Sequence, residues 1–317
     1  MVMLLNTSLH SRIVEKKNRL DSLRPLNPSI VHKLQEQMEI KYTYNSNHIE
    51  GNTLTLKETQ LLLEEGLTVH NKPLPDVLEI KNHPEAIDYI ETIAKKIELK
   101  EVDILTIHQI IKRGVDDDAG RYRSGHVIIT GSSHIPPPAY EIQFLIPTMI
   151  AEYNRNPNEL VPIELAAWLH YRFVNIHPFN DGNGRVARLL MNLTLIRYGY
   201  PMTVISYSDR RQYYNTLDKA DKGNLVPFVN FVASSVEQML DTYLRAIEPT
   251  KEPLIPISEA SKGTPYSAEY LSLLSRMRAI PATKEGKTWL VTKSMIEQYA
   301  KAENPSYEPK GKTTLTN

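Results

Sequence analysis

The stretch that decides the fold is His177-Pro178-Phe179-Asn180-Asp181-Gly182-Asn183-Gly184-Arg185-Val186-Ala187-Arg188. Pro178 disfavours helical geometry at the residue before it, so the helix predicted over 162–175 ends near His177 and presents the imidazole at its edge. Apolar residues at helical spacing predict a second helix over 185–198. The stretch is therefore a tight connection between two helices.

Glycine and arginine give this connection an affinity for anions. Gly182 and Gly184 flank Asn183, and the positive φ that they permit lets successive amides point at one anion. Arg185 and Arg188 lie three residues apart at a helix start that is already electropositive. A polyphosphate or a carboxylate would stabilise that arrangement.

Two other side chains of the stretch supply chemistry. Asp181 offers a hard oxygen ligand that could hold Mg²⁺ against phosphates. His177 is the group whose ordinary pKa suits removal of a proton near neutrality. A glycine-rich turn with solvated charges is the alternative, but a base, a carboxylate, an anion turn and two arginines within twelve residues argue against it.

HPFNDGNGRVAR resembles the HPFx[DE]GNGRxxR signature of Fic-domain proteins, and the similarity extends from about Leu20 to Ile247. The resemblance implies a protein adenylyltransferase that moves AMP from ATP to a protein hydroxyl. It implies His177 as general base and Asp181 as the ligand of Mg²⁺. It further assigns phosphate and nucleotide contacts to Gly182, Asn183, Gly184, Arg185, Arg188 and Tyr214.

A second resemblance lies upstream, in Ser46-Asn47-His48-Ile49-Glu50-Gly51-Asn52. By itself the run predicts a helix that ends near Glu50 with Gly51 as a cap, and a carboxylate there invites a cationic partner. The run also resembles the [ST]xxxE[GN] inhibitory helix of Fic proteins, placed here at about 42–51. That resemblance implies that Glu50 pairs with Arg188, which occupies the arginine that the γ-phosphate needs and holds ATP in a non-productive pose, while Ser46 fixes the helix. We therefore expect an autoinhibited resting protein.

Two other functions stay open. The Glu50 carboxylate could instead position water to remove AMP from a modified target, as a phosphodiesterase does. The chain could also be a DNA-binding regulator whose Fic core senses nucleotide, although a sensor would not need the base His177.

Residues 121–140 interrupt the helical pattern with a β-branched run, three small residues and three prolines. The pattern predicts a short β-hairpin or extended flap, with a free edge against which a target peptide can pair. A plain connecting loop is the alternative. Arg121 and Arg123 precede the flap and are as consistent with a structural role as with substrate binding.

Two polar residues receive a plainer interpretation. His170 lies seven residues before His177 on one helix, but without a third nitrogen ligand it is interpreted as a satisfied buried histidine rather than a metal ligand. Asp221 stands where some Fic relatives carry an uncharged amide, which leaves the contacts to the purine open.

Composition excludes several classes of protein. Thirty-seven basic residues balance thirty-seven acidic ones, so no overall charge favours nucleic acid or an anionic membrane. Cysteine is absent, which excludes disulfides and thiol catalysis. No signal peptide and no apolar stretch of about 18 residues are present, so we expect a cytoplasmic protein without membrane contact.

The predicted fold is mainly α: a Fic helical bundle with a short flap and a small C-terminal domain. Further helices are predicted over 20–44 with a break at 25–28, from a capping box at Thr55 to near Gly66, and over 85–97, 101–113, 142–153, 208–222 and 226–247. The predicted domains are an N-terminal helical region (1–84), a catalytic core (85–247), a linker (248–256), a second domain (257–302) and a disordered tail (303–317).

The second domain resembles an excisionase-like or MerR-like winged helix-turn-helix, with a β-wing over 284–291 and a third helix over 293–300. From Lys251 onward ten basic residues face seven acidic ones, a net charge of +3. This pattern is equally consistent with DNA binding and with protein docking or contact within a homodimer.

Overall fold

The computed structural model describes residues 4–26, 28–67, 70–129, 134–248, 252–276, 280, 282–285 and 288–303. The chain forms two compact units, Met1–Tyr243 and Leu244–Asn317. No described helix has both the length and the apolar character that a membrane crossing requires.

The first unit is built from helices. They are α1 (Thr7–Ser22), α2 (Pro28–Ile49), α3 (Leu56–Glu65), α4 (Leu74–Ala94), α5 (Glu101–Lys112), α6 (Ile142–Arg155), α7 (Pro162–Ile176), α8 (Asn183–Arg197), α9 (Arg210–Asp221) and α10 (Val226–Ile247). Short 3₁₀ turns at Ala139–Glu141 and Tyr207–Asp209 precede α6 and α9.

Helices α7 and α8 pack against each other at the centre of this unit, and α4 packs against both α5 and α8. Helix α8 is buried on all its faces, polar ones included. Its Asn192 is satisfied there because the side-chain amide donates to the carbonyl of Thr203 and accepts from the Thr203 amide, at 3.0 and 2.6 Å. A buried central helix gives the loop that precedes it a rigid base.

Most predicted helices are present within two residues of their predicted ends. The capping box of α3 is formed, since the Thr55 amide donates to Glu58 at 2.7 Å and the Glu58 amide donates to the Thr55 hydroxyl at 3.2 Å. The predicted break near 25–28 separates α1 from α2.

Two predictions of the N-terminal region need correction. Helix α4 begins at Leu74 rather than at 85, and Pro84 lies inside it. Proline lacks an N–H donor and disfavours a helix interior, but burial of Ile80 and Ile87 on either side of Pro84 stabilises the continuous helix. The predicted domain boundary at 84–85 therefore falls inside a helix of one compact unit.

The flap predicted over 121–140 carries no strand in the described residues 121–129 and 134–138, which run as an irregular segment. Its predicted turn at 131–133 lies outside the described residues. The described part therefore forms no paired hairpin, and its irregular backbone agrees equally with an extended flap and with a plain connecting loop.

The second unit has its own core. It contains β1 (Ile255–Pro256), α11 (Ile257–Ala260), α12 (Ala268–Arg276), β2 (Thr283–Glu285), β3 (Thr288–Val291) and α13 (Lys293–Glu303). The strands form an antiparallel sheet in the order β1-β3-β2, and the apolar core gathers Ile257, Ala260, Leu271, Leu274, Ile280, Val291 and Ile296. The predicted linker 248–256 therefore ends in a paired strand, and the tail beyond Glu303 lies outside the described residues.

Candidate active site

The loop between α7 and α8 begins with a reversal of the chain at His177. This residue adopts left-handed geometry, with φ 51° and ψ 59°, and its amide donates to the carbonyl of Phe173 at 3.0 Å. A proline follows, so the right-handed helix cannot continue. The imidazole is thereby presented at the edge of α7, as the sequence predicts.

The surroundings of the His177 ring define its protonation. Nδ1 lies 3.3 Å from the carbonyl oxygen of Val174, which can only accept, so Nδ1 carries the hydrogen and Nε2 keeps its lone pair. Burial lowers the pKa of His177 to about 4, although the Val174 carbonyl acts in the opposite direction. The ring is therefore neutral at pH 7 and able to accept a proton at Nε2.

Asn183 fixes the shape of the loop. Its side chain accepts from the Phe179 amide at 2.9 Å and donates to the Phe179 carbonyl at 2.8 Å. The buried side chain of Asn183 thus spans the loop, and its backbone amide lies at the start of α8, so a phosphate contact predicted for Asn183 would be made by that amide.

Gly182 caps α8 in left-handed geometry, with φ 80°, and the first intrahelical bond runs from the Val186 amide to the Gly182 carbonyl. The amides of residues 183–185 therefore precede the helical bonding pattern. Such a group of amides at the N-terminus of a helix favours an anion.

Asp181 lies at the mouth of this loop between two cations. Its Oδ2 atom is 2.6 Å from Nζ of Lys112 and 3.1 Å from the guanidinium of Arg185. Burial raises the pKa of Asp181, but the charges of Arg185 and Lys112 outweigh that effect and lower it to about 2. The carboxylate is therefore ionised at neutral pH.

Lys112 and Glu79 are members of this cluster that sequence reasoning missed. Lys112 on α5 is buried and also contacts Glu79 on α4 at 3.2 Å, while Arg185 contacts the same Glu79 at 2.6 Å. Neither residue belongs to a motif, so no sequence signal marked them.

His108 supports the loop from below. Its ring stacks on Phe179 with 3.6 Å between centroids, its Nδ1 accepts from the Gly120 amide at 2.9 Å, and its Nε2 donates to the Asp181 carbonyl at 3.1 Å. Burial lowers the pKa of His108 to about 4, so both bonds hold with a neutral ring.

Arg188 is fully buried at the contact between α8 and α2. Its guanidinium donates to the hydroxyl and carbonyl of Ser46 at 3.0 and 2.7 Å, and it pairs with Glu50 Oε1 at 2.8 Å. Burial alone would lower the pKa of Arg188, but the charge of Glu50 raises it above its ordinary value. The pair expected between Glu50 and Arg188 is thus present.

The Glu50 carboxylate also covers the start of α8. A Cβ built on Gly184 would lie 3.0 Å from Glu50 Cδ and closer still to Oε1. Gly184 therefore allows a carboxylate to sit against the amides that favour an anion. Gly51, which follows with φ 102°, reverses the chain after α2 as the predicted cap does.

The end of α2 is also attached to the segment that leads into α9. The Tyr207 amide donates to Asn45 at 2.8 Å, the rings of His48 and Tyr207 lie 4.2 Å apart, and Arg210 Nε donates to the carbonyl of Ile49 at 2.8 Å. The predicted segment 42–51 is thus the last part of the 22-residue helix α2 and the turn after it.

Tyr214, predicted to line the adenine pocket, is partly exposed on α9. Its ring lies 5.0 Å from that of the buried Tyr213 and 4.8 Å from the Arg210 guanidinium. The exposed ring of Tyr214 could stack on a base. It lies next to Tyr213, whose hydroxyl is 3.4 Å from the Arg188 guanidinium.

Arg123 has a structural role at the base of the flap. Its buried guanidinium donates to the carbonyls of His177, Gly125 and Pro137 at 2.8, 2.8 and 2.6 Å. One side chain therefore joins both described arms of the flap to the residue that carries the imidazole. Arg121, by contrast, is exposed.

His170 and Asp221 lie apart from the anion site. His170 is fully buried, as predicted, and its Nε2 lies 3.0 Å from the Tyr213 hydroxyl, but its Nδ1 has no hydrogen-bond partner among the described residues, so the histidine is only half satisfied. Asp221 is 3.4 Å from the side-chain amide of Asn175 on α7.

Residues 98–195 match the model of the Fic/DOC family. Over 248 residues the chain is 36% identical to a protein adenylyltransferase Fic of Nematostella vectensis, an alignment that covers 76% of this chain and 56% of the relative. A second curated relative, from Drosophila grimshawi, is 35% identical and covered to 52%. The chain thus spans about half the length of the curated relatives it matches.

Solved structures agree in fold and sequence. A Fic-domain-containing signaling protein from Bacteroides thetaiotaomicron superposes with a TM-score of 0.71 and 34% identity, over 76% of this chain and all of that one. A Fic family protein from Desulfovibrio desulfuricans superposes with a TM-score of 0.64 and 25% identity, over 90% of this chain and 94% of that one.

Proposed function

This chain belongs to the Fic/DOC family, and on that premise we propose that it is a protein adenylyltransferase, which transfers AMP from ATP to the hydroxyl of a target protein. The observation that carries the proposal is the neutral imidazole of His177 beside a helix start that collects amides and two buried arginines. Transfer from a polyphosphate to a hydroxyl needs both a base and an anion site.

In the proposed reaction Nε2 of His177 takes the proton of the target's Ser, Thr or Tyr hydroxyl as its oxygen attacks the α-phosphorus. The bond from that phosphorus to the bridging oxygen breaks, and pyrophosphate leaves with the electron pair. Arg185, Arg188 and the amides of 183–185 hold the phosphates, so the charge that develops meets donors already in place.

The Asp181 carboxylate is a suitable ligand for Mg²⁺. About 59% of the Asp181 side chain is exposed at the mouth of the loop, and carboxylate and phosphate oxygens are the ligands that Mg²⁺ prefers. The described residues contain no cluster of three or more metal-ligating side chains, so the triphosphate would supply much of the shell. When bound, the ion would neutralise charge on the phosphates.

We further propose that Glu50 inhibits the resting protein. Its carboxylate occupies the guanidinium that the γ-phosphate needs, and Ser46 holds the same guanidinium through two bonds. A carboxylate at this helix start takes the place of an anionic ligand, which supports competition with ATP.

The test is label transfer from ATP labelled at the α-phosphate, with Mg²⁺ and the full chain. The Glu50→Gly variant should incorporate more label into protein than the wild type, and the Glu50→Gly/His177→Ala variant should incorporate none. Equal label with and without His177 would refute the assignment of the base, and no gain from Glu50→Gly would refute the inhibition.

Removal of AMP is the second candidate function. The Glu50 side chain keeps 27% of its surface exposed, so its carboxylate can contact a water molecule. A water molecule held there would attack an AMP-modified target. Under this function Glu50→Gly should abolish release of AMP while it increases transfer.

The target protein is proposed to dock at the flap 121–140, where backbone groups pair with a peptide without reading its side chains. Three features of the second unit also stay predictions: its winged helix-turn-helix fold, its binding to DNA and its contact within a homodimer. Among described basic residues Arg276 and Lys293 would meet phosphates. Retention of the full chain on duplex DNA that falls with salt would support DNA binding, and light scattering would test the homodimer.

A further inference from the structure

Lys112 is a buried cation in contact with Asp181, the carboxylate proposed to hold the metal ion. Only 5% of its side chain is exposed, and its ammonium lies 2.6 Å from Asp181 Oδ2 and 3.2 Å from Glu79 Oε1. Burial of a lysine costs free energy unless carboxylates surround the ammonium, and here two do. The side chain is therefore fixed in place rather than free to move with solvent.

The cluster around Lys112 is electrically balanced. Asp181 and Glu79 contribute two negative charges, and Lys112 and Arg185 contribute two positive charges within contacts of 2.6 to 3.2 Å. A neutral cluster exerts little net attraction on a divalent cation, even though it contains two carboxylates. Both cations also bond the same oxygen of Asp181, which fixes the orientation of that carboxylate.

We propose that Lys112 is a positioning residue that controls cation entry, because it holds Asp181 in place and prevents a divalent cation from binding without nucleotide. This inference rests on the proposed function, in which Asp181 is the metal ligand. A triphosphate brings the negative charge that the balanced cluster lacks, so cation and nucleotide enter together.

The test measures binding of Mn²⁺ to the nucleotide-free full chain by electron paramagnetic resonance. Lys112→Met removes one positive charge from the cluster and should tighten Mn²⁺ binding roughly tenfold or more, since the lost repulsion is substantial even at the dielectric constant of water. The matched control is Lys222→Met, which removes an exposed lysine that pairs with Asp218. It should leave Mn²⁺ binding unchanged.

Two more variants locate the effect. Lys112→Arg keeps the charge and should bind Mn²⁺ as weakly as the wild type. Asp181→Asn introduced into the Lys112→Met variant should remove the gained affinity. An unchanged affinity in Lys112→Met, or a gain that survives Asp181→Asn, would overturn the proposal.

Lys112→Gln covers the case in which methionine unfolds the protein. Glutamine is neutral yet still donates hydrogen bonds to the two carboxylates, so it should also tighten Mn²⁺ binding, and an unchanged affinity would again overturn the proposal. No step of this experiment uses ATP or turnover. A failure of the proposed AMP transfer is therefore distinguishable from a failure of the role of Lys112.

Discussion

At the scale of single residues, His177 has a lowered pKa and carries its hydrogen on Nδ1. Burial lowers the pKa to about 4 from the ordinary 6.5, so the ring becomes protonated, and loses its function as a base, only as the pH falls towards 4. We expect AMP incorporation by Glu50→Gly to stay nearly constant from about pH 8 to about pH 6. Initial rates across this range check it, and a loss of rate centred near the ordinary value would contradict it.

Gly184 is the second residue whose surroundings yield a prediction. A methyl group there collides with Glu50, so Gly184→Ala should lower the free energy of unfolding by about 1–3 kcal/mol in the wild type. The same change should cost less in the Glu50→Gly variant, where the carboxylate is gone. Chemical unfolding of the four proteins in a double-mutant cycle measures this coupling, and strictly additive effects would rule out the contact.

At the scale of elements, the end of α2 is held to the segment before α9 by contacts that include the bond from Arg210 to the Ile49 carbonyl. Loss of that bond should loosen the helix that carries Glu50. We expect Arg210→Ala to raise AMP incorporation above wild type but below Glu50→Gly. Arg211→Ala, an exposed arginine on the same helix, is the control, and equal activity of both variants would refute the attachment.

Helices and loops also show how far the sequence predicts this structure. The loop 177–188 is contiguous, so local spacing alone brings its base, glycines and arginines together. Lys112 and Glu79 reach the loop from α5 and α4, and only tertiary packing joins them to Asp181. No pattern within either helix distinguishes them from solvated charges.

Helix α1 begins at Thr7, although the sequence prediction started a helix only at residue 20. Its buried residues Leu9, Ile13 and Leu20 follow helical spacing, and the Asn6 side chain caps it by accepting from the Leu9 amide at 3.1 Å. Asn183 shows what the sequence leaves open, because its side-chain type suits both a phosphate contact and a bridge across the loop. Only the observed bonds to Phe179 distinguish these roles.

At the scale of the whole molecule, four histidines of the first unit make its stability depend on pH. Burial lowers the pKa to about 3 for His83, to about 4 for His108 and His177, and well below the ordinary 6.5 for His170. As the pH falls below 6.5, these histidines therefore become protonated in the unfolded chain while they stay neutral in the folded chain. The stability is present in full above that pH and is lost towards pH 4, by about 1.4 kcal/mol per pH unit for each histidine.

This dependence can be measured for the first unit alone. The two tryptophans, Trp168 and Trp289, lie in different units, so fluorescence of a Trp289→Phe variant reports on the first. We expect its unfolding midpoint in urea to be clearly lower at about pH 5 than at about pH 7. Equal midpoints would show that the four imidazoles are protonated in the folded state as readily as in water.

The contact between Ser46 and Arg188 has a consequence for biosynthesis, since the two residues are 142 positions apart in the chain. Ribosomes make proteins from the N-terminus, and domains generally fold in that order. The helix that bears Ser46 and Glu50 therefore leaves the ribosome well before the arginine that it will bind. Each newly made molecule can thus fold with Arg188 already engaged by Ser46 and Glu50.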